Sequence, residues 1–107
     1  MLYYSYMKLN EEAVMTALSN VLDPELNISI VDLGLVYSTK ITDAKGVYIE
    51  MTLTTLGCPL YNVIEADIRR HVGALGVDDD KIEIELTFDP PWSMDRMSES
   101  AKAMLGI

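Results

Sequence analysis

The 107-residue sequence predicts an α+β domain: a small mixed three-stranded sheet with helices packed on one side of it, in the order α-β-β-α-β-α. Three observations carry this reading. Three stretches, starting at Leu35, Val47 and Ile82, alternate apolar and polar residues with the period of a half-buried strand. Three others, starting near Ala13, Leu60 and Met94, repeat apolar residues at spacings of three and four. The length is that of one domain, without internal repeats or low-complexity linkers.

The elements follow in order. Residues 1–9 read as an N-terminal tail and residues 10–107 as the domain; the second methionine, Met7, is the expected functional start. Asn10 suits the N-cap of a first helix, with Glu11 and Glu12 at the positive end of its dipole. Ala13, Val14, Ala17, Leu18 and Val21 form its apolar stripe, and Pro24 should stop it near Leu22 by moving Asp23 out of the α region. "DPELNISIVDLG" reads as a turn-rich connection ending at Gly34. In the first strand Leu35, Tyr37, Thr39 and Ile41 share one face, and Ser38, Lys40 and Thr42 the other. After the short loop "TDAKG", Val47, Ile49, Met51 and Leu53 face inward and Tyr48, Glu50, Thr52 and Thr54 outward.

Pro59 suits the first position of a second helix. Its stripe is Leu60, Val63, Ile64, Ile68, Val72 and Leu75, and it ends between Gly73 and Gly76. Ile82, Ile84, Leu86 and Phe88 make a third strand, closed by Pro90 and Pro91, which cannot donate to a ladder. The intervening helix is a right-handed crossover that should set the third strand parallel to the second. Ser93 is expected to cap a last helix striped by Met94, Met97, Ala101, Met104 and Leu105 and stopped by Gly106.

A net charge of −9, with Arg69-Arg70 the only adjacent basic pair, disfavours binding to nucleic acid or to an anionic membrane surface. No apolar run approaches the roughly 18 residues that span a membrane. "MLYYSYM" lacks the basic leader and cleavage site of a signal peptide. The single cysteine allows no internal disulfide and fits a reducing, cytoplasmic location.

That cysteine, Cys58, stands in "LTTLGCPL" where a strand gives way to a helix. A helix N-terminus favours thiolate, the form that attacks electrophiles and binds metal. Thr54 and Thr55 add hydroxyls at the strand's end. The competing reading is a small apolar residue filling a turn. Asp23 and Glu25 flank Pro24, so both carboxylates can face one side as metal ligands or acid–base groups; Asp-Pro is equally an ordinary turn initiator. Trp92, after two stiff prolines, is either a partner contact or a lid on the core. His71 is on the order of 20 Å along the helix from Cys58 and reads as a flank residue. The sequence contains no CxxC, HExxH, GxSxG or phosphate-loop motif.

In this order, "DPEL", "IVDLGLVY", "MTLTTLGCPL" and "TFDPPWSMDRMSESAKAMLG" resemble the domain of unknown function 59 family, the PaaD-like and SufT-type iron–sulfur cluster assembly domains, over about residues 10–107. The resemblance implies the iron–sulfur cluster assembly (FSCA) fold and a metal-binding role in maturing iron–sulfur proteins or carrying clusters to them. It implies a polar pocket of Asp23, Glu25, Thr54 and Thr55 around Cys58, the tentative cluster ligand. Leu56 stands where members often have proline. The chain also lacks the cysteine-rich extension of the phenylacetate-pathway members, which makes it similar to a free-standing SufT-type member.

Clusters usually take four thiolates, and this chain supplies one. Two subunits could share a labile, intersubunit iron–sulfur cluster, or Cys58 could attack a persulfide or pass a ligand during handover. The domain could instead bind no cluster and act as a non-catalytic adaptor docking assembly factors and clients. A cysteine-dependent thiol enzyme, with Asp23 or Glu25 assisting Cys58, is the rival from another class. The implied partners are iron–sulfur assembly proteins, client apoproteins and a second copy of the chain.

Overall fold

The computed structural model describes residues 9–42, 45–54 and 61–106. Helix α1 runs from Glu11 to Leu18, and the Asn10 side chain caps it as expected, accepting the Ala13 N–H at 2.7 Å. It ends before Leu22 because polar side chains compete for its last carbonyls. Ser19 Oγ and Asn20 Nδ2 both donate to the Thr16 carbonyl, at 2.6 and 3.2 Å. The connection that follows is more than a turn. Leu22 and Ser29 form an antiparallel bridge, and the Ile30 N–H donates to the Val21 carbonyl at 2.9 Å. This returns the chain to the core, where Ile28, Ile30 and Leu33 are buried.

Strands β1 (Val36–Ile41), β2 (Val47–Met51) and β3 (Ile82–Leu86) lie in the order β1-β2-β3. β1 is antiparallel to β2, and β3 is parallel to it, as the crossover requires. Cross-strand partners share a face, so Val47, Ile49 and Met51 join Ile82, Ile84 and Leu86 on the core side. The opposite face carries Ser38, Lys40, Tyr48, Glu50, Glu83 and Glu85. β1 departs from the expected alternation, because a bulge between Val36 and Ser38 leaves Tyr37 as the extra residue. Val36, rather than Tyr37, pairs opposite Met51. Thr52, expected to face outward, is fully buried: β2 has ended, and the Thr52 N–H now donates to the Leu35 carbonyl at 2.8 Å.

Helix α2 (Tyr61–Gly73) buries Ile64, Ile68 and Val72, a stripe of i, i+4 spacing. Val63 stands about 100° around the helix from that stripe and is 54% exposed, so it is not the core residue the spacing predicted. α1 packs on α2 and β1, and α2 on β3, which places both over the core side of the sheet. Each fully buried Leu or Ile in this layer contributes about 1.5–3 kcal/mol of transfer free energy.

The C-terminal helix also differs from expectation. A single turn of 3-10 helix (Met94–Arg96) precedes α3 (Glu99–Leu105), and the cap of α3 is Ser98, not Ser93. The Ser98 hydroxyl accepts the Ala101 N–H at 3.0 Å. The break leaves only Met97 and Ala101 of the expected stripe buried; Met94, Met104 and Leu105 are exposed. Gly106 ends the helix with φ +75°, as predicted. No helix among the described residues is long and apolar enough to cross a membrane.

Candidate functional site

The end of the sheet where β2 and β3 finish and β1 begins gathers three of the four sequence motifs. Beyond Met51 the chain is held on both sides: Thr52 donates to the Leu35 carbonyl, and the Thr87 N–H donates to the Met51 carbonyl, both at 2.8 Å. Leu53 is buried and Thr54 exposed, and from there the chain enters the segment that carries the thiol. Thr55 and Cys58 themselves lie outside the described residues.

The "DPPW" segment closes over "DLGLVY" from the third side. The Trp92 indole N–H donates to the Leu33 carbonyl at 2.7 Å, and the Tyr37 hydroxyl donates to the Pro90 carbonyl at 2.8 Å. The Arg96 guanidinium lies 4.5 Å from the centre of the Tyr37 ring, a cation–π distance. Trp92 is half-buried against the core, so its indole is anchored within the chain.

Asp23 and Glu25 occupy the turn of the bridged segment between Val21 and Ile30. One carboxylate oxygen of Asp23 accepts the N–H groups of both Glu25 and Leu26, at 2.8 and 3.0 Å. This is an Asx turn, in which the carboxylate shapes the backbone that displays Glu25. Glu25 is exposed. The turn reaches the sheet end through the backbone: Ile30 accepts the Leu35 N–H at 3.0 Å, and Leu35 accepts that of Thr52. Among the described residues no hydrogen bond joins Asp23 or Glu25 to Thr54, and no group of three His, Cys, Asp or Glu side chains could hold a metal ion.

Several residues that the sequence reading did not single out belong to this neighbourhood. Tyr61 opens α2 directly after the undescribed segment and packs against the core; burial, then the nearby Glu65 carboxylate, pushes its phenol upward. Thr52, Tyr37 and Arg96 were missed because each acts through a bulge or a chain crossing that period-two alternation does not encode. His71 lies elsewhere, as expected of a flank residue. Its Nδ1 is 2.9 Å from the Asp67 carbonyl, and the ring lines a groove of about 590 Å³ with Asn10, Ala13, Ala17 and Leu75. That groove contains none of the predicted site residues. On the open sheet face the Tyr48 hydroxyl donates to Glu85 Oε1 at 2.5 Å. That hydrogen bond, with the Glu50 and Glu83 charges adding to it, raises the Tyr48 pKa to about 12.

Comparison with known proteins adds a family to this geometry. A family model described as "Iron-sulfur cluster assembly protein" matches residues 11–86. A Bacillus subtilis protein named Fe-S protein maturation auxiliary factor YitW is 41% identical over 97 residues, covering 91% of this chain and 94% of that protein. The Staphylococcus aureus Fe-S protein maturation auxiliary factor SufT is 39% identical over 87 residues, covering 81% of this chain and 98% of its own length. The crystal structure of a domain of unknown function DUF59 from Bacillus anthracis superposes with a TM-score of 0.82 at 38% identity, covering 91% of this chain and 92% of that one.

Proposed function

The chain belongs to the iron–sulfur cluster assembly protein family, and on that premise we propose that it is a maturation factor that carries or transfers an iron–sulfur cluster to client apoproteins through Cys58. The observation that carries this reading is the count of one thiol. A cluster usually needs four thiolates, so a single chain offers too few to retain one. Ligands must come from a second copy, from the client or from a small thiol, and a cluster so shared is released readily. The cluster is cargo, and the chain's contribution is one soft ligand and a polar surround.

In this reading Cys58 is the thiolate ligand, and Thr54 and Thr55 supply hydroxyls beside it. Asp23 shapes the turn, and Glu25 is its exposed carboxylate. The names of the two maturation factors support this role, as does the anchoring of Met51 and Thr52 at the end of the sheet. A homodimer bridged by the cluster is the working form, handing it to assembly proteins or clients in a reducing compartment.

Anaerobic incubation with Fe²⁺, sulfide and thiol tests the proposal. Wild type should develop a visible chromophore and double in mass on size exclusion, and Cys58→Ser should do neither. A chromophore that survives Cys58→Ser removes the thiol from the mechanism. No chromophore in wild type, together with retained binding to client apoproteins, would make the chain an adaptor. Iron-independent turnover of ester or disulfide substrates would make it a thiol enzyme.

A further inference from the structure

The chain beyond β3 is joined to the domain differently from its other elements. The packing that holds α1, α2 and the sheet together does not extend to α3. Among the described residues, sixteen of the eighteen buried side chains of the core cluster lie between Val14 and Ile82; only Met97 and Ala101 come from the C-terminal segment. The span that the family model matches, 11–86, likewise closes with β3. Thr87 marks the departure. Its N–H still donates to the Met51 carbonyl, but its hydroxyl accepts the Asp89 N–H at 3.2 Å and donates to the Asp89 carbonyl at 3.3 Å. Such a local hydroxyl turn leads the chain off the sheet.

Three hydrogen bonds attach residues 88–106, and all three reach one loop. The Tyr37 hydroxyl donates to the Pro90 carbonyl, the Trp92 indole N–H to the Leu33 carbonyl, and the Ser98 N–H to the Asp32 carbonyl at 2.8 Å. Arg96 adds its guanidinium over the Tyr37 ring and its backbone against Gly34. Other hydrogen bonds of the segment are its own: Arg96 and Met97 donate to the Ser93 and Met94 carbonyls, and Ala101 and Lys102 to the Ser98 hydroxyl and carbonyl. We propose that residues 88–106 form a strap that comes off the domain as one unit. It is hinged at Thr87–Asp89 and latched by Trp92 on Leu33 and by Tyr37 on Pro90, so the 32–37 loop is uncovered while the core stays folded. The ties converge on six residues, so losing one displaces the backbone that the others need. A seven-residue helix is marginal alone in water, so the strap's internal hydrogen bonds open once it detaches. Opening of this kind breaks a few ties and spares the core, and it is therefore more frequent than global unfolding. Nothing in the device involves a cluster.

The test is native-state amide exchange of the full chain, followed by NMR. The amides of Arg96, Met97, Ser98 and Lys102 form a strap set, and those of α2 and the β2–β3 ladder a core set. In wild type the strap set should share one opening equilibrium, about ten-fold or more above that of the core set. Tyr37→Phe removes the latching hydroxyl and keeps the ring beneath Arg96; Trp92→Phe removes the indole N–H. Both latches are lost in strap opening and in global unfolding alike, so each variant should accelerate both sets about three-fold or more, the range for one net hydrogen bond. Val77→Ala trims a buried side chain that strap opening leaves in place, so it should accelerate the core set alone. One common opening equilibrium for the two sets, equal acceleration of both in Val77→Ala, or an unchanged strap set in both latch variants overturns the proposal. Exchange needs no iron, so a failed cluster reconstitution leaves this test decisive on its own terms.

Discussion

Gly34→Ala is the substitution whose cost the structure specifies best. Two independent penalties act at this position. The φ of +76° lies in the left-handed region, which costs a residue with a Cβ about 1–2 kcal/mol. The added methyl would also meet the Arg96 backbone, 2.7 Å from the carbonyl carbon. Backbone cannot rotate aside as a flexible side-chain tip can, and overpacking of this kind costs about 1–3 kcal/mol. Together they predict a loss of about 2–5 kcal/mol, against a total stability on the order of 5–15 kcal/mol for such a domain. The melting temperature should fall on the order of 10–30 °C. Gly76→Ala separates the two penalties, since Gly76 has φ +96° but nothing within 4 Å of the added Cβ. It should lose only the conformational share, about 1–2 kcal/mol. Urea denaturation of both variants, followed by far-UV circular dichroism, supplies the comparison. If the two lose the same stability to within about 0.5 kcal/mol, within the usual spread of independent sites, the close approach of Arg96 to the 32–37 loop is wrong.

Two further predictions concern other parts of the fold. Asn10→Ala removes the acceptor for the Ala13 N–H and should cost about 1 kcal/mol in the same urea experiment, whereas Asn10→Asp should retain the cap. On the open face, Tyr48 should ionise near pH 12 rather than 10, visible as a late tyrosinate absorbance step absent from Tyr48→Phe. Because its folded pKa is the higher one, the stabilisation from its neutral hydroxyl is complete below pH 10 and is lost as pH rises through about 12. A tyrosinate step for Tyr48 at the ordinary phenol value would contradict the Glu85 hydrogen bond.

The strands and α2 were legible because one local rule decides each of them. Val47, Ile49 and Met51 alternate with polar residues because one face of the strand is buried, and their period survives in any context that covers that face. Asn10 and Gly106 were equally legible, since caps are set by one side chain or one φ angle. The misreadings fall where a second chain segment intervenes. Val63 fits a spacing of three from Leu60 and of five from Ile68, so pattern alone admits it to the stripe; only the packing of Ile64, Ile68 and Val72 chooses the face. Met94 and Met104 fit a helical period that exists only if Ser93 starts the helix. The helix starts at Ser98, and the period is broken.

The candidate site divides in the same way. Its motifs could be picked out one at a time, and a lone thiol between glycine and proline drew attention by chemistry alone. The role of Asp23 as the acceptor for two N–H groups is a local turn, and "DP" announces such a turn in any sequence.

By itself the sequence determined the α+β class, the strand and helix order, the parallel β2–β3 pairing and the limit that one cysteine places on holding a cluster. These follow from periodicity, handedness and stoichiometry, all of which are properties of the chain taken locally. Tertiary structure alone decided that Thr52 meets Leu35 and Thr87 meets Met51, that Trp92 and Tyr37 tie the C-terminal segment to the 32–37 loop, and that Gly34 must be glycine for Arg96 to come so close. Those contacts join residues up to 62 positions apart, as Gly34 and Arg96 are. No propensity of either partner encodes them, because each is satisfied only by where the rest of the fold places the other.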